Sequence, residues 1–428
     1  MYRETQYAVQ NHKIDKNREK ITMISEKKKM DRRTFLKATG IGSASLALSA
    51  GFTGGLMAAE AANDGPSKSI PMRVLGKTGV SVPILALGGI TDWTINQALL
   101  KIAFNMGVTY WDTANGYGNG KSEIGIGQYF EKYPEDRKRI FLVTKTHAAN
   151  PEGLTNSLNI SFERMKTDYV DLFFMHGLQN TGSLTQEIKA WAEQKKKEGK
   201  IRFFGFSTHV NSSEFLINTS TVGWIDAIMP IYNYRTMFNV DITKGIDACA
   251  KAGIGLIAMK VMGMRFMPGE TPEELKIVNS FMEKGYTLEQ AKLKALWNDE
   301  RISSCCVAMY NLTVLKDNVA AATDSRQLSG REIEMLKRLA ENTCDYYCQG
   351  CMKCVSAMGA DSRIPDILRY MMYYNSYGER DRAREEFKSL PEAFRKSLAS
   401  RDYSPAERIC PNRIKIGQAM REAVRILA

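Results

Sequence analysis

Between residues 71 and 322, eight short apolar runs alternate with longer amphipathic ones, and this rhythm limits the folds open to the chain more than any other feature. The runs cover residues 84–87, 108–111, 140–144, 170–175, 201–206, 227–231, 255–259 and 303–307. Each is too short for a helix and reads as a buried strand. Strands that alternate with helices pair in parallel, and eight of them is the number that closes a (β/α)8 barrel. Local signals agree. Ser183-Leu184-Thr185-Gln186 reads as a capping box, Ile188, Trp191 and Ala192 follow at helical spacing, and Gly199 closes the helix just before the strand at Ile201. The expected fold class is α/β: a (β/α)8 TIM barrel over residues 71–323, then a small, mainly helical domain over residues 330–428.

The chain of 428 residues, 44% hydrophobic, is long enough for one large core and a second small one. Its first segment stands apart. Asp31-Arg32-Arg33-Thr34-Phe35-Leu36-Lys37 precedes an uncharged stretch, residues 38–59, rich in Ala, Gly, Ser and Leu, and Ala59-Glu60-Ala61 follows as an A-x-A cleavage site. This order resembles a twin-arginine (Tat) secretory signal, with cleavage near Ala61. The expectation is export through the Tat machinery to the periplasm, and a soluble protein after cleavage. The polar stretch before Met30 is long for a leader, which makes Met23 and Met30 candidate start sites. Residues 1–61 hold eleven basic and six acidic residues, so +5 of the formal +12 leaves with the leader. The remaining excess is spread out, with Lys195-Lys196-Lys197 at a helix end, and reads as solvated surface rather than a nucleic-acid site.

Four polar residues fall where three successive apolar runs stop: Asp112 and Tyr117 after residues 108–111, Lys145 after 140–144 and His176 after 170–175. At neighbouring strand ends they would meet at the C-terminal mouth, where such barrels keep their active sites. Together they suit carbonyl reduction. Hydride addition builds negative charge on oxygen, so a proton donor and a stabilising field are needed there. Tyr117 is the candidate acid. Lys145 would lower its pKa by favouring phenolate, Asp112 would anchor Lys145, and His176 would hydrogen-bond the substrate oxygen. Gly76-Lys77-Thr78-Gly79 and Gly116-Tyr117-Gly118-Asn119-Gly120 lack the spacing of phosphate or dinucleotide loops and read as turns.

On these residues the chain closely resembles the aldo-keto reductase family. Residues 72–79 look like the family's opening hairpin, and Trp111-Asp112-Thr113-Ala114 through Tyr117-Gly118 to Ser122-Glu123 matches its Asp and Tyr motif. Lys145 and His176 follow at family-like intervals. The resemblance, over residues 71 to 323, implies a nicotinamide cofactor across the barrel mouth and Tyr117 as general acid/base. On the cofactor side it implicates Ser207, Thr208, Met229, Lys260, Asn311, Asp317 and Asn318. Several of these depart from the family pattern. Thr208 stands where Asn is usual and Met229 where Gln is usual, while residues 258–263 replace a Tyr-Ser-Pro-Leu segment and lose its stacking aromatic. Lys260 is in reach of a pyrophosphate, and Val314 stands where an Arg often meets a 2′-phosphate, leaving NAD against NADP open.

The eight cysteines are unevenly placed. Cys249, Cys305 and Cys306 fall within barrel patterns and read as core. Cys348, Cys351 and Cys354 have the C-x2-C-x2-C spacing of a ferredoxin-type [4Fe-4S] site, which needs a fourth thiolate. Cys410-Pro411 supplies a Cys-Pro, and counting back by the spacing of a second triplet gives Ala406, Tyr403 and Ser400. One cluster is therefore expected, on Cys348, Cys351, Cys354 and Cys410, with Cys344 left over; a zinc site on the same residues is the alternative. The tail resembles the ferredoxin-like domains found on some aldo-keto reductases.

Two functions are open to such a chain. One is an exported iron-sulfur oxidoreductase that interconverts a carbonyl and an alcohol, a sugar among the candidates, with NAD(P). The other is a redox-partner protein in which the barrel is a binding scaffold and the cluster passes electrons to a carrier. A hydride carries two electrons and the cluster exchanges one, so the cluster is expected to hold the tail together or to serve an electron-transfer protein.

Overall fold

The computed structural model describes residues 69–264 and 272–428. The predicted leader, residues 1–61, lies outside the described residues.

An antiparallel hairpin, β1 (Met72–Val74) and β2 (Ser81–Pro83), precedes the barrel. Eight parallel strands then close on themselves: β3 (Leu85–Gly88), β4 (Tyr110–Asp112), β5 (Phe141–Thr146), β6 (Val170–Met175), β7 (Ile201–Ser207), β8 (Ala227–Met229), β9 (Gly255–Ala258) and β10 (Ser304–Ala308), with β10 pairing back onto β3. All eight expected runs are strands. The sixth is shorter than its apolar run, because Pro230 has no N–H for the ladder; Ile231 rejoins only as an isolated bridge to Met259. Inward-facing Ala86, Tyr110, Val143, Leu172, Phe174, Ala227, Met229 and Ile257 fill the interior, and the hairpin residues Leu75 and Val82 plug its lower end. A larger apolar layer joins the strands to the surrounding helices, including Trp111, Phe173, Phe204, Leu216 and Leu296.

One helix start differs from the sequence expectation. Thr185, not Ser183, is the N-cap of Gln186–Lys197, accepting a hydrogen bond from the Ile188 N–H, while Ser183 ends a short 3-10 turn. Two candidate hydroxyls stood two residues apart, and the one three residues before Ile188 has the capping geometry.

The helix Gly330–Asn342 is capped by a reciprocal Ser329–Glu332 box and packs Leu336, Leu339 and Ala340 against Tyr234, Phe281 and Ala295. Beyond it the chain is helical to its end and builds a second core around Ile364, Ile367, Tyr370, Phe387, Leu398, Ile416 and Met420. No helix among the described residues is long and apolar enough to cross a membrane.

Candidate active site

The end of β4 and its following loop carry two of the four expected groups. Gly89 lets β3 pass close by, since a Cβ there would lie 2.2 Å from the Asp112 carbonyl oxygen. Asp112 closes β4, and Thr113 continues it by donating its N–H to the Val143 carbonyl at 2.8 Å. The loop then turns through left-handed backbone at Gly118, Asn119 and Gly120, which stations Tyr117 over the mouth. Beneath it, Glu123 is fully buried, accepting from the Thr144 hydroxyl at 2.6 Å and pairing with Arg164 at 3.2 Å; Arg164 also donates to the Asn115 carbonyl. Ser122 and Thr113 share a 2.6 Å hydroxyl contact. Ser122 and Glu123, read in the sequence as part of the motif, therefore brace the tyrosine loop.

The structure brings Asp112, Tyr117, Lys145 and His176 together. Lys145 and Asp112 are almost wholly buried and form an ion pair of 2.5 Å, and the ammonium also donates to the Thr113 carbonyl at 2.7 Å. The Lys145 ammonium lies 5.0 Å from the Tyr117 ring centroid, and the Tyr117 ring meets His176 edge-on at 5.6 Å. His147, two residues past Lys145, stacks on His176 at 4.4 Å. Burial alone would drain charge from Lys145, but Asp112, Tyr117 and Cys306 reverse this and hold it firmly protonated.

One electrostatic expectation is corrected. Lys145 does pull the Tyr117 pKa down, but burial outweighs it and the phenol is pushed up to about 12. Desolvation of the phenolate is the larger effect in this enclosed position. Tyr117 is thus a neutral phenol at ordinary pH. His176 is held well below its usual value by burial and by Lys145, His147, Arg382 and Lys260, so its imidazole is neutral too.

The residues expected to meet a cofactor are more scattered. Ser207, at the end of β7, accepts from the Gly177 N–H at 3.1 Å and keeps its own proton to donate. Thr208 is fully buried and spends its hydroxyl on the Leu178 carbonyl and the Val210 N–H, because the loops after β6 and β7 close on each other there. Met229 packs in the barrel interior. Lys260 has left-handed backbone (φ +55°) and its ammonium sits over the rings of Tyr373 and Tyr377, at 4.6 and 5.3 Å. Asn311 caps the helix Leu312–Thr323, accepting from the Val314 N–H, and Asp317 is exposed one turn further on. Asn318 is buried, and its amide nitrogen has no partner.

Three features at the mouth were missed. Cys306, read in the sequence as core, lies midway along β10, is only half buried and neighbours Asp112. His147 follows Lys145 closely enough to have been noticed. The third is the tail. Tyr373 and Arg382 reach the mouth from the far end of the chain, and nothing in the sequence pattern announced it.

The tail docks on the loops after β7 and β8. The Asn211 N–H donates to the Gly350 carbonyl at 2.9 Å, and Asn233 donates to the buried Tyr347 hydroxyl at 2.8 Å. Gly350 is left-handed (φ +73°), and a Cβ on it would fall 2.4 Å from the His209 carbonyl oxygen. On either side of this contact Cys348, Cys351, Cys354 and Cys410 line one cavity with Pro365, Leu368, Ile414 and Ile416 for walls. Cys344 is not among its lining residues; its sulfur is 3.9 Å from the Arg413 guanidinium. Cys249 and Cys305 are buried in the core, as expected. Among the described residues no group of His, Cys, Asp and Glu closes around a single metal ion.

A parallel eight-stranded barrel that brings an Asp–Lys pair, a Tyr and a His to consecutive strand ends holds the acid–base set that carbonyl reduction needs. The profile of the Aldo/keto reductase family matches residues 89–340, and the chain belongs to that family. It is 25% identical over 304 residues to L-galactose dehydrogenase of Arabidopsis thaliana, covering 63% of this chain and 93% of that protein. It is 24% identical over 301 residues to L-glyceraldehyde 3-phosphate reductase of Escherichia coli O157:H7, covering 58% and 86%. Among solved structures, the holo form of an aldo-keto reductase from Bacillus halodurans superposes with a TM-score of 0.53 at 20% identity, over 63% of this chain and 96% of that one. An aldo-keto reductase from Klebsiella pneumoniae in complex with NADPH gives 0.50 at 23%, over 62% and 94%. The protein is an oxidoreductase acting on CH–OH and C=O groups.

Proposed function

We propose that this chain is an exported, iron-sulfur-containing aldo-keto reductase that reduces the carbonyl of a small, sugar-like substrate with a nicotinamide cofactor. The observation that carries the catalytic part is the buried Asp112–Lys145 pair facing the Tyr117 and His176 rings at the barrel mouth. When bound, the nicotinamide supplies hydride to the carbonyl carbon. The buried Asn318 amide without a partner and the free Ser207 proton suit its two ends, with Asn311 and Asp317 beside the first.

The chain's own groups then manage the oxygen. The neutral His176 imidazole donates an N–H that orients the carbonyl, and Tyr117, protonated at neutral pH, gives its proton to the oxygen as charge develops. Lys145 stabilises the phenolate left behind. Asp112 keeps that ammonium in place, and burial of the pair keeps water from competing for it.

The shared cavity of Cys348, Cys351, Cys354 and Cys410 supports one [4Fe-4S] cluster, since four thiols and an apolar wall are the donor set it needs. A cluster held there would either exchange single electrons with a partner protein or hold the tail together. Export rests on the twin-arginine-like leader, residues 1–61. To test the reading, the anaerobically purified protein is given NADPH or NADH with a panel of aldoses. Carbonyl-dependent oxidation of the cofactor is expected, together with absorption of a cluster near 400 nm; its absence with every aldose would sink the proposal.

A further inference from the structure

The tail carries a set of cations to the barrel mouth that neither the fold nor the acid–base chemistry requires. A π-helical turn, Tyr373–Tyr377, interrupts the helical run after Ile364–Met372 and presents Tyr373 to Lys260. Such turns are rare and concentrate at functional sites, as does left-handed backbone on a non-glycine residue like Lys260. The two irregularities meet at one place. Arg382 covers the Tyr373 ring with its guanidinium 4.1 Å from the centroid, and Arg369 stands on the preceding helix.

The charges here do not cancel. Arg382 is shared with Glu379 at 2.7 Å and Glu386 at 3.0 Å, and Arg369 pairs with Asp366 at 2.9 Å, which Arg363 also contacts. Lys260 has no carboxylate within ion-pair distance among the described residues. Tyr373 is fully buried and its hydroxyl has no hydrogen-bond partner. Burial should raise its pKa, yet Lys260, Arg382 and Arg369 overcome both burial and Glu386 and bring it down. The same field reaches the reaction centre, because Arg382 and Lys260 both act on His176 and Arg382 acts on Tyr117. A positive potential beside an unpartnered hydroxyl is a place for an anionic oxygen group.

We propose that Lys260, Arg369 and Arg382, gathered around Tyr373, form an oxyanion subsite next to Tyr117 and His176, so that the substrate carries a carboxylate or a phosphate besides its carbonyl. This rests on the carbonyl-reducing reading of the same mouth. The tail is thereby a specificity element, supplying three of the four residues of the subsite.

The experiment compares matched neutral and anionic probes: glucose with glucuronate, and glyceraldehyde with glyceraldehyde 3-phosphate. Binding to the full-length protein is measured by calorimetry without cofactor, and kcat/KM is measured with NADPH. The anionic member of each pair should be favoured by ~10-fold or more in both readouts, the scale of one charge-assisted contact. Lys260→Met should lower the anionic-to-neutral ratio by ~10-fold, and Arg382→Gln should lower it in the same direction. Equal binding of the two members of each pair, or a ratio unmoved by Lys260→Met, overturns the subsite. If Lys260→Met weakens NADPH binding but not glucuronate binding, the anion is the diphosphate of the cofactor and the substrate proposal is overturned. If calorimetry discriminates as expected but no aldose or aldehyde is turned over, the subsite stands and the reductase reading fails.

Discussion

The barrel and the tail each gather four chemically matched side chains, one set of acid–base groups and one set of thiols, but they hold them differently. In the barrel, Asp112, Lys145 and His176 stand at the ends of hydrogen-bonded strands, and even the Tyr117 loop is braced by a buried Glu123. In the tail, the thiols sit on turns and on helices as short as Lys353–Met358, around a cavity. The contrast teaches that the barrel site is preorganised by strand ends and by the buried side chains that brace them, whereas the tail thiols are held by short elements and by the tail's contact with the barrel.

The largest effect should come from the barrel pair. Lys145→Met leaves the Asp112 carboxyl unpaired in an interior that already raises its pKa, a change expected to cost about 3 kcal/mol of stability and at least ~10³-fold in kcat/KM. Denaturant unfolding and steady-state kinetics would check both; a variant as stable as wild type would mean the pair is less buried than described.

Next, Cys410→Ser should abolish iron retention measured by elemental analysis, and Cys344→Ser should leave it unchanged. The reverse pattern would move the fourth ligand. A smaller effect is expected at the joint between the two regions. Gly350→Ala places a Cβ against the His209 carbonyl in left-handed backbone and should weaken docking by about 2 kcal/mol, read as faster proteolysis after residue 343. Unchanged proteolysis would show that the tail does not depend on this contact.

The smallest effect is an absence of change with pH. A histidine of ordinary pKa near ~6.5 would cut the reduction rate on its acid side. His176 is held well below that value, and Tyr117 loses its proton only near about 12, so the rate at saturating substrate should be flat from about pH 6 to about pH 9. An inflection near neutral pH would place a titrating group other than Tyr117 and His176 in the reaction.

Much of the barrel was legible because its strands are buried on both faces, so apolar runs marked their positions to within two residues, and strand ends pointed to Asp112, Lys145 and His176. The ends of elements were less legible where two residue types compete for one role, as Ser183 and Thr185 do for the N-cap. The sign of the Tyr117 shift depended on how deeply the loop is enclosed, which no spacing reveals. Spacing and the Cys-Pro singled out four cysteines, and the structure sets all four along one cavity. The approach of Tyr373 and Arg382 to the mouth was not legible, because it arises from the packing of the tail against loops more than a hundred residues away in sequence.

The account turns on Tyr117 as the proton donor at the mouth of the barrel. Tyr117→Phe removes one oxygen atom and leaves the ring against His176 and Lys145, so NADPH binding, followed by the quenching of protein fluorescence, should be unchanged. Carbonyl-dependent oxidation of NADPH should fall by about 10³-fold. Turnover by the phenylalanine variant within a few-fold of wild type would contradict the account.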